Sequence, residues 1–292
     1  MEYLPAELLY EIHLFALSET LPFTNSHIQE VFKGASTSHR VAYLASKYEE
    51  RYERRDKHGR KVVTSTRGPI GHALLFPLCT EPVLDALFRY YSSRPPDPYA
   101  SRIDSWAKET QLPRRLFSGS NLSAAKPDGR PLRSSDPPLP FLKHLYDLFS
   151  TYTLSPPPDA NAHGGYALTR AVFTGHLPLV LFLLSVGARP AENNSLAVRV
   201  AIRKRDLKLV RVLVEGGSTE EYAVDDRSGV LKVKAGVAGK KRRRIGDRVD
   251  VNTTMLKEAV EVSSSDIVRY LLDRGARPDI QVMEKMQKSG FM

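Results

Sequence analysis

Residues 168–188 read LTRAVFTGHLPLVLFLLSVGA, and the same pattern returns at 198–218 as VRVAIRKRDLKLVRVLVEGGS and at 256–276 as LKEAVEVSSSDIVRYLLDRGA. Ala171, Ala201 and Ala259 coincide in this alignment, as do Val180, Val210 and Val268. Leu183, Leu213 and Leu271 form a third column, and Gly187, Gly217 and Gly275 a fourth. Each unit reads as a short helix with a small residue at its contact face, a polar turn, a second apolar helix and a glycine stop. Glycine at that stop suits a left-handed C-cap, where a Cβ would be costly. A helix pair of this size cannot bury both faces alone, so neighbours must stack. The expected fold is all-α, with a solenoid over its second half.

These units resemble ankyrin repeats over roughly residues 160–280, with GHLPLVLFLLSVGA the closest segment. The family's Thr-Pro-Leu-His turn reads Tyr166-Ala167-Leu168-Thr169, Leu196-Ala197-Val198-Arg199 and Thr254-Met255-Leu256-Lys257 here. Without that histidine, irregular stacking is expected. The steps between units are 30 and 58 residues. The first implies a shortened hairpin against about 33 for the family, and the second an insertion of about 25.

The N-terminal stretch LPAELLYEIHLFALSETLP, residues 4–22, opens on a Leu-Pro pair, with Pro5 suited to a first helical turn. Leu8, Leu9, Ile12, Phe15 and Ala16 recur at spacings of three and four, one stripe on a helix. Ile28, Val31 and Phe32 repeat that spacing, as do Val41, Leu44, Ala45 and Tyr48, so three short helices are predicted before residue 50. The stripe serves either the chain's own core, against helices in 71–91, or another protein.

The start of this stretch resembles an F-box, a three-helix module whose pattern begins Leu-Pro-x-Glu-Leu-Leu-x-x-Ile; the likeness covers about residues 3–48. The basic-aromatic signature usual near that module's end is absent, with Phe32–Lys33 in its place. The resemblance implies binding to a Skp1-type adaptor of a cullin-type (SCF) ubiquitin ligase, with Leu4, Pro5, Leu8, Leu9 and Ile12 as apolar contacts. An F-box followed by repeats is the layout of a substrate receptor, whose extended repeat surface selects the substrate. The arrangement is similar to that of fungal F-box/ankyrin repeat-containing proteins.

The organisation expected is an F-box-like module over 1–48, a charged linker over 49–70 and a diverged helix pair over 71–91. A Pro/Ser/Arg-rich loop region over 92–140 follows, then ankyrin-like repeats over 141–280 with a basic insertion at about 218–250. That insertion carries Lys240, Lys241, Arg242, Arg243 and Arg244, half of the net charge of +10. Such a run reads as a nuclear-localisation signal, a polyanion patch or a solvated loop. Contact with nucleic acid is not favoured, because no neighbouring element is built to read bases.

Cys79 is the one cysteine, so no disulfide framework exists, and it reads as buried packing. Glu2, Glu7 and Glu11 argue against a signal peptide, and the run LVLFLL at 179–184 is far short of the roughly 20 residues of a membrane span. The eight histidines show no zinc-site spacing, His163 and His176 read as repeat turns, and Trp106 as a loop anchor. GVAGKK lacks Walker spacing. The sequence therefore predicts a non-enzymatic interaction protein without cofactor or metal, in nucleus or cytoplasm with the nucleus favoured, and a monomer outside its complexes. Its partners would be the adaptor and a protein substrate on the ankyrin-like surface. An ankyrin scaffold without a ligase is the alternative, and a basic polyanion-binding protein a third.

Overall fold

The computed structural model describes residues 4–55, 61–63, 67–93, 109–119, 122, 132–154, 156–215, 222–225, 230–233 and 249–288. Among these the chain is helical, with thirteen α-helices and two short antiparallel hairpins. It divides into two compact units, each assembled from two segments: 1–113 with 141–159, and 114–140 with 160–292.

The second unit holds the repeats. Its helices are α7 (Ala162–Thr174), α8 (Leu177–Ser185), α9 (Glu192–Arg203), α10 (Leu207–Glu215), α11 (Thr253–Glu261), α12 (Ser265–Asp273) and α13 (Ile280–Lys288). α7 packs on α9, α9 on α11 and α11 on α13, so the first helices of successive pairs form one continuous layer. Ala171, Ala201 and Ala259 are fully buried in it, and the small side chain is what lets these backbones approach. Behind them Leu181 and Val212 join α8 to α10, with Leu177 and Leu184 against them. The direct α9–α11 contact means that the stack continues across the long 58-residue step.

The turn inside each pair is built alike. A left-handed residue ends the first helix: Gly175 at φ 75°, Arg205 at 57° and Ser263 at 52°. The next amide then reaches back to the aligned alanine, His176 N to Ala171 O at 3.0 Å, Asp206 N to Ala201 O at 3.3 Å and Ser264 N to Ala259 O at 3.2 Å. This pairs carbonyls that a helix end leaves open. His176 and Asp206 go on to cap the second helix, accepting from Leu179 N and Leu209 N. At the end of that helix Gly187 and Gly275 adopt φ 93° and 95°, the left-handed stop predicted for the glycine column; Gly217 lies outside the described residues.

Near the starts of α7 and α9 the chain makes a left-handed turn of three residues before the regular helix, His163-Gly164-Gly165 at φ 59°, 67° and 70°, and again Asn193-Asn194-Ser195 at 51°, 54° and 56°. Asn161 ties one pair to the next, donating from Nδ2 to Gly187 O at 3.0 Å and accepting at Oδ1 from Arg189 N at 2.6 Å.

The first unit comprises α1 (Ala6–Ala16), α2 (Ser26–Lys33), α3 (Thr37–Tyr52), α4 (Pro69–Ala73) and α5 (Glu81–Ser92), together with α6 (Leu139–Thr151) from Phe141 onward. α3 is its spine, packing on α1, α4 and α5. α5 buries Val83, Leu84, Leu87, Phe88 and Tyr91, one helical face. α6 meets it through Phe149, edge-on to Phe88 at 5.6 Å, and through His144 Nε2, 2.7 Å from Asp85 Oδ1. Residues 141–159, read from the sequence with the repeats, thus group with the N-terminal helices.

Two features depart from an all-α reading. β1 (Glu53–Arg55) pairs with β2 (Lys61–Val63) inside the charged linker, and β3 (Tyr222–Asp225) with β4 (Val230–Val233) inside the basic insertion. The periodicity of charges hid them; the β-branched Val62, Val63, Val224, Val230 and Val233 are the residues that favour a strand.

Candidate protein-docking face

α1 carries the N-terminal apolar stripe, and the fold divides that stripe in two. Leu9 and His13, one turn apart, face inward at 1% and 2% exposure. Leu9 packs with Ile28 and Phe32 of α2, and Leu4, Tyr10, Leu21 and Val31 close around them. Leu8, Ile12 and Phe15, at i, i+4 and i+7, face outward at 44%, 41% and 90%. Phe23, on the short 3-10 turn that follows, is 73% exposed as well.

Of the five residues predicted to contact an adaptor, Leu8 and Ile12 therefore lie on an open face. Pro5 is exposed ahead of the first turn, and its carbonyl accepts from Leu9 N at 3.2 Å. Leu4 is half-buried and packs inward. Leu9 is a correction to the predicted set: its side chain is consumed by the module's own core and has no surface left to offer. Phe15 belongs to the open face instead, and its place at i+7 from Leu8 was the signal for it. The remaining predicted residues, Lys240, Lys241, Arg242, Arg243 and Arg244, lie outside the described residues, as does Trp106.

What holds this face in place is a buried aromatic-imidazole cluster that periodicity did not reveal. The His13 ring stacks on Tyr43 at 4.1 Å with 9° between planes, and Phe32 lies 4.6 Å from it. Its Nε2 is 3.1 Å from the Ser18 carbonyl, which can only accept, so Nε2 carries the proton. Nδ1 then accepts from His39 Nε2 at 3.2 Å. Burial, followed by the neighbouring His39, lowers the His13 pKa to about 4, and burial with Arg40 also lowers that of His39. Burial raises the Tyr43 hydroxyl to about 12, with Glu19 and Glu50 adding to it. Lys47 Nζ closes the end of α1 by donating to Leu17 O at 2.8 Å.

Among the described residues, no three His, Cys, Asp or Glu side chains converge as metal ligands, and no helix is long and apolar enough to cross a membrane. Cys79 is buried. His176 lies within the turn of its helix pair, with Nε2 3.5 Å from Asp136 O. In comparisons with known proteins, no family model matches the chain and no curated protein matches it.

Proposed function

We propose that this chain is the substrate-recognition subunit of a cullin-type ubiquitin ligase. In this reading residues 1–48 are an F-box-like module, and the stacked helix pairs from Ala162 onward are an irregular ankyrin-type array that holds a protein substrate. Lys240 to Arg244 then act as the import signal that takes the receptor to the nucleus.

The supporting observation is the outward stripe of α1. A helix anchored by Leu9 and His13 presents Leu8, Ile12 and Phe15 to solvent at the spacing by which one helix recognises another protein. Covering the half-exposed Leu8 and Ile12 is worth about 1 kcal/mol each, and the nearly bare Phe15 about 2 kcal/mol or more. A micromolar complex needs about 8 kcal/mol, so the stripe supplies roughly half and the later helices must contribute the rest.

The test is capture of the full chain by a recombinant Skp1-type adaptor, beside a Leu8→Asp, Ile12→Asp variant. Because both side chains already face water, the variant should keep its circular dichroism and lose the adaptor. Retention by the wild type alone supports the receptor reading. If neither chain is retained, an ankyrin-type scaffold without a ligase takes its place.

A further inference from the structure

Between positions 199 and 211 the chain carries six cations, Arg199, Arg203, Lys204, Arg205, Lys208 and Arg211, against the single carboxylate of Asp206. They escape notice in the sequence because apolar residues are interleaved with them. The fold places four of them, Arg203, Lys204, Arg205 and Lys208, exposed at the α9–α10 turn, while Arg199 faces Glu258 and Arg211 lies over the Tyr270 ring. Asp206 is already engaged, its Oδ1 accepting from Leu209 N at 3.0 Å.

A further observation sets this turn apart from an ordinary solvated surface. Glu258, buried on α11, takes Arg199 Nε at 2.7 Å and an Arg203 guanidinium nitrogen at 3.0 Å on one oxygen. One carboxylate thus fixes two guanidiniums in position while leaving a surplus positive charge, and the Arg203 side chain stays 59% exposed. Arg205, in turn, occupies the left-handed position at φ 57° that the preceding pair fills with Gly175. The turn geometry requires this conformation in every pair, Ser263 included, and a residue with a Cβ holds it at a cost in stability that glycine would save.

We infer that the α9–α10 turn is a docking surface for an acidic peptide segment, rich in Asp or Glu, of a partner protein. The inference rests on reading the second unit as the half that holds the substrate, and is independent of adaptor docking. Glu258 shows within the fold how this surface grips a carboxylate. An incoming carboxylate would also meet Lys204, whose Nζ reaches toward the preceding turn and lies 3.4 Å from where a Cβ on Gly175 would sit. Residues 195–215 contain no aromatic side chain on which a nucleic-acid base could stack, which disfavours single strands. The net charge of +10 disfavours a second copy of the chain.

The experiment is fluorescence anisotropy at low ionic strength with a short labelled peptide of alternating Glu and Gly, its Gln analogue, and a labelled oligothymidine. The full chain is used without adaptor, with Lys240, Lys241, Arg242, Arg243 and Arg244 replaced by Ala to remove their own attraction. The Glu peptide should bind and the Gln analogue should not. Lys204→Glu, Lys208→Glu should weaken the Glu peptide about tenfold or more with an unchanged melting curve. Arg205→Gly should weaken it about threefold while melting no lower than the parent, which separates binding from folding. Equal affinity of parent and charge-reversed chain, equal binding of the Gln analogue, or tighter turn-dependent binding of the oligonucleotide would each overturn the assignment. Adaptor capture by the charge-reversed chain, measured separately, shows whether the receptor reading survives such a result.

Discussion

Between the ring of Tyr43 and the imidazole of His39, His13 has no place for a second proton. Its Nδ1 already accepts a hydrogen bond and its Nε2 proton is held by the Ser18 carbonyl. In an unfolded chain the ring takes up a proton near pH 6.5, whereas in the fold it does so only near pH 4. Over that interval the unfolded state binds the extra proton. The stability contributed by neutral His13 is therefore complete above pH 6.5 and is lost as the pH falls toward 4, and His39 acts in the same direction. The loss should be on the order of 2–3 kcal/mol. Thermal melts between pH 7 and pH 4.5 should show it, and His13→Phe, which cannot titrate, should flatten the dependence. Parallel pH slopes for the two chains would exclude His13 as the cause. The glycine caps at Gly187 and Gly275 were legible in the sequence because only glycine adopts φ near 94° freely. The matching left-handed positions at Arg205 and Ser263 were not, since there the packing of two helices imposes the geometry on residues that do not signal it.

At the scale of the element, α1 shows why periodicity locates a helix more readily than its faces. Leu8 and Leu9 are neighbours about 100° apart around the helix, and the pattern alone counts both as one stripe. The core is in fact entered by Leu9 and the polar His13, while three large apolar side chains face water. Substitution reads the division directly. Leu9→Ala removes a fully buried side chain and should cost about 2–4 kcal/mol. Ile12→Ala, on the open face, should stay within about 0.5 kcal/mol of the parent. Denaturant midpoints of the two variants check this, and equal losses would mean that the stripe is covered by the chain itself. The repeat helices were more transparent, because aligned alanines and leucines mark contact face and core in each pair, and glycines the stop in the first and third. The two hairpins were opaque, since strands of three or four residues carry too short a pattern to stand out from the charges around them.

For the whole molecule, the order of elements along the chain is not the order in which they cohere. The first unit takes α6 from beyond residue 140, after the chain has already contributed residues 114–140 to the second. The repeats and the N-terminal helices could be told apart by their patterns. The crossing could not, because α6 has an ordinary amphipathic pattern that does not say which core it serves. A chain ending at Pro113 loses Phe149 and Leu145 from the core of the first unit and should melt below one ending at Asp159. Circular dichroism melts of the two fragments would decide, and equal midpoints would show α6 to be dispensable there.

That same connectivity bears on synthesis. A domain whose residues are contiguous can close as soon as its last residue leaves the ribosome. Here α1 to α5 emerge early, yet Phe149, whose side chain meets Phe88, follows only after all of residues 94–140 have been translated. During that interval the apolar wall of α5 lacks its α6 partner, so the first unit is completed only after synthesis has passed through a segment of the second.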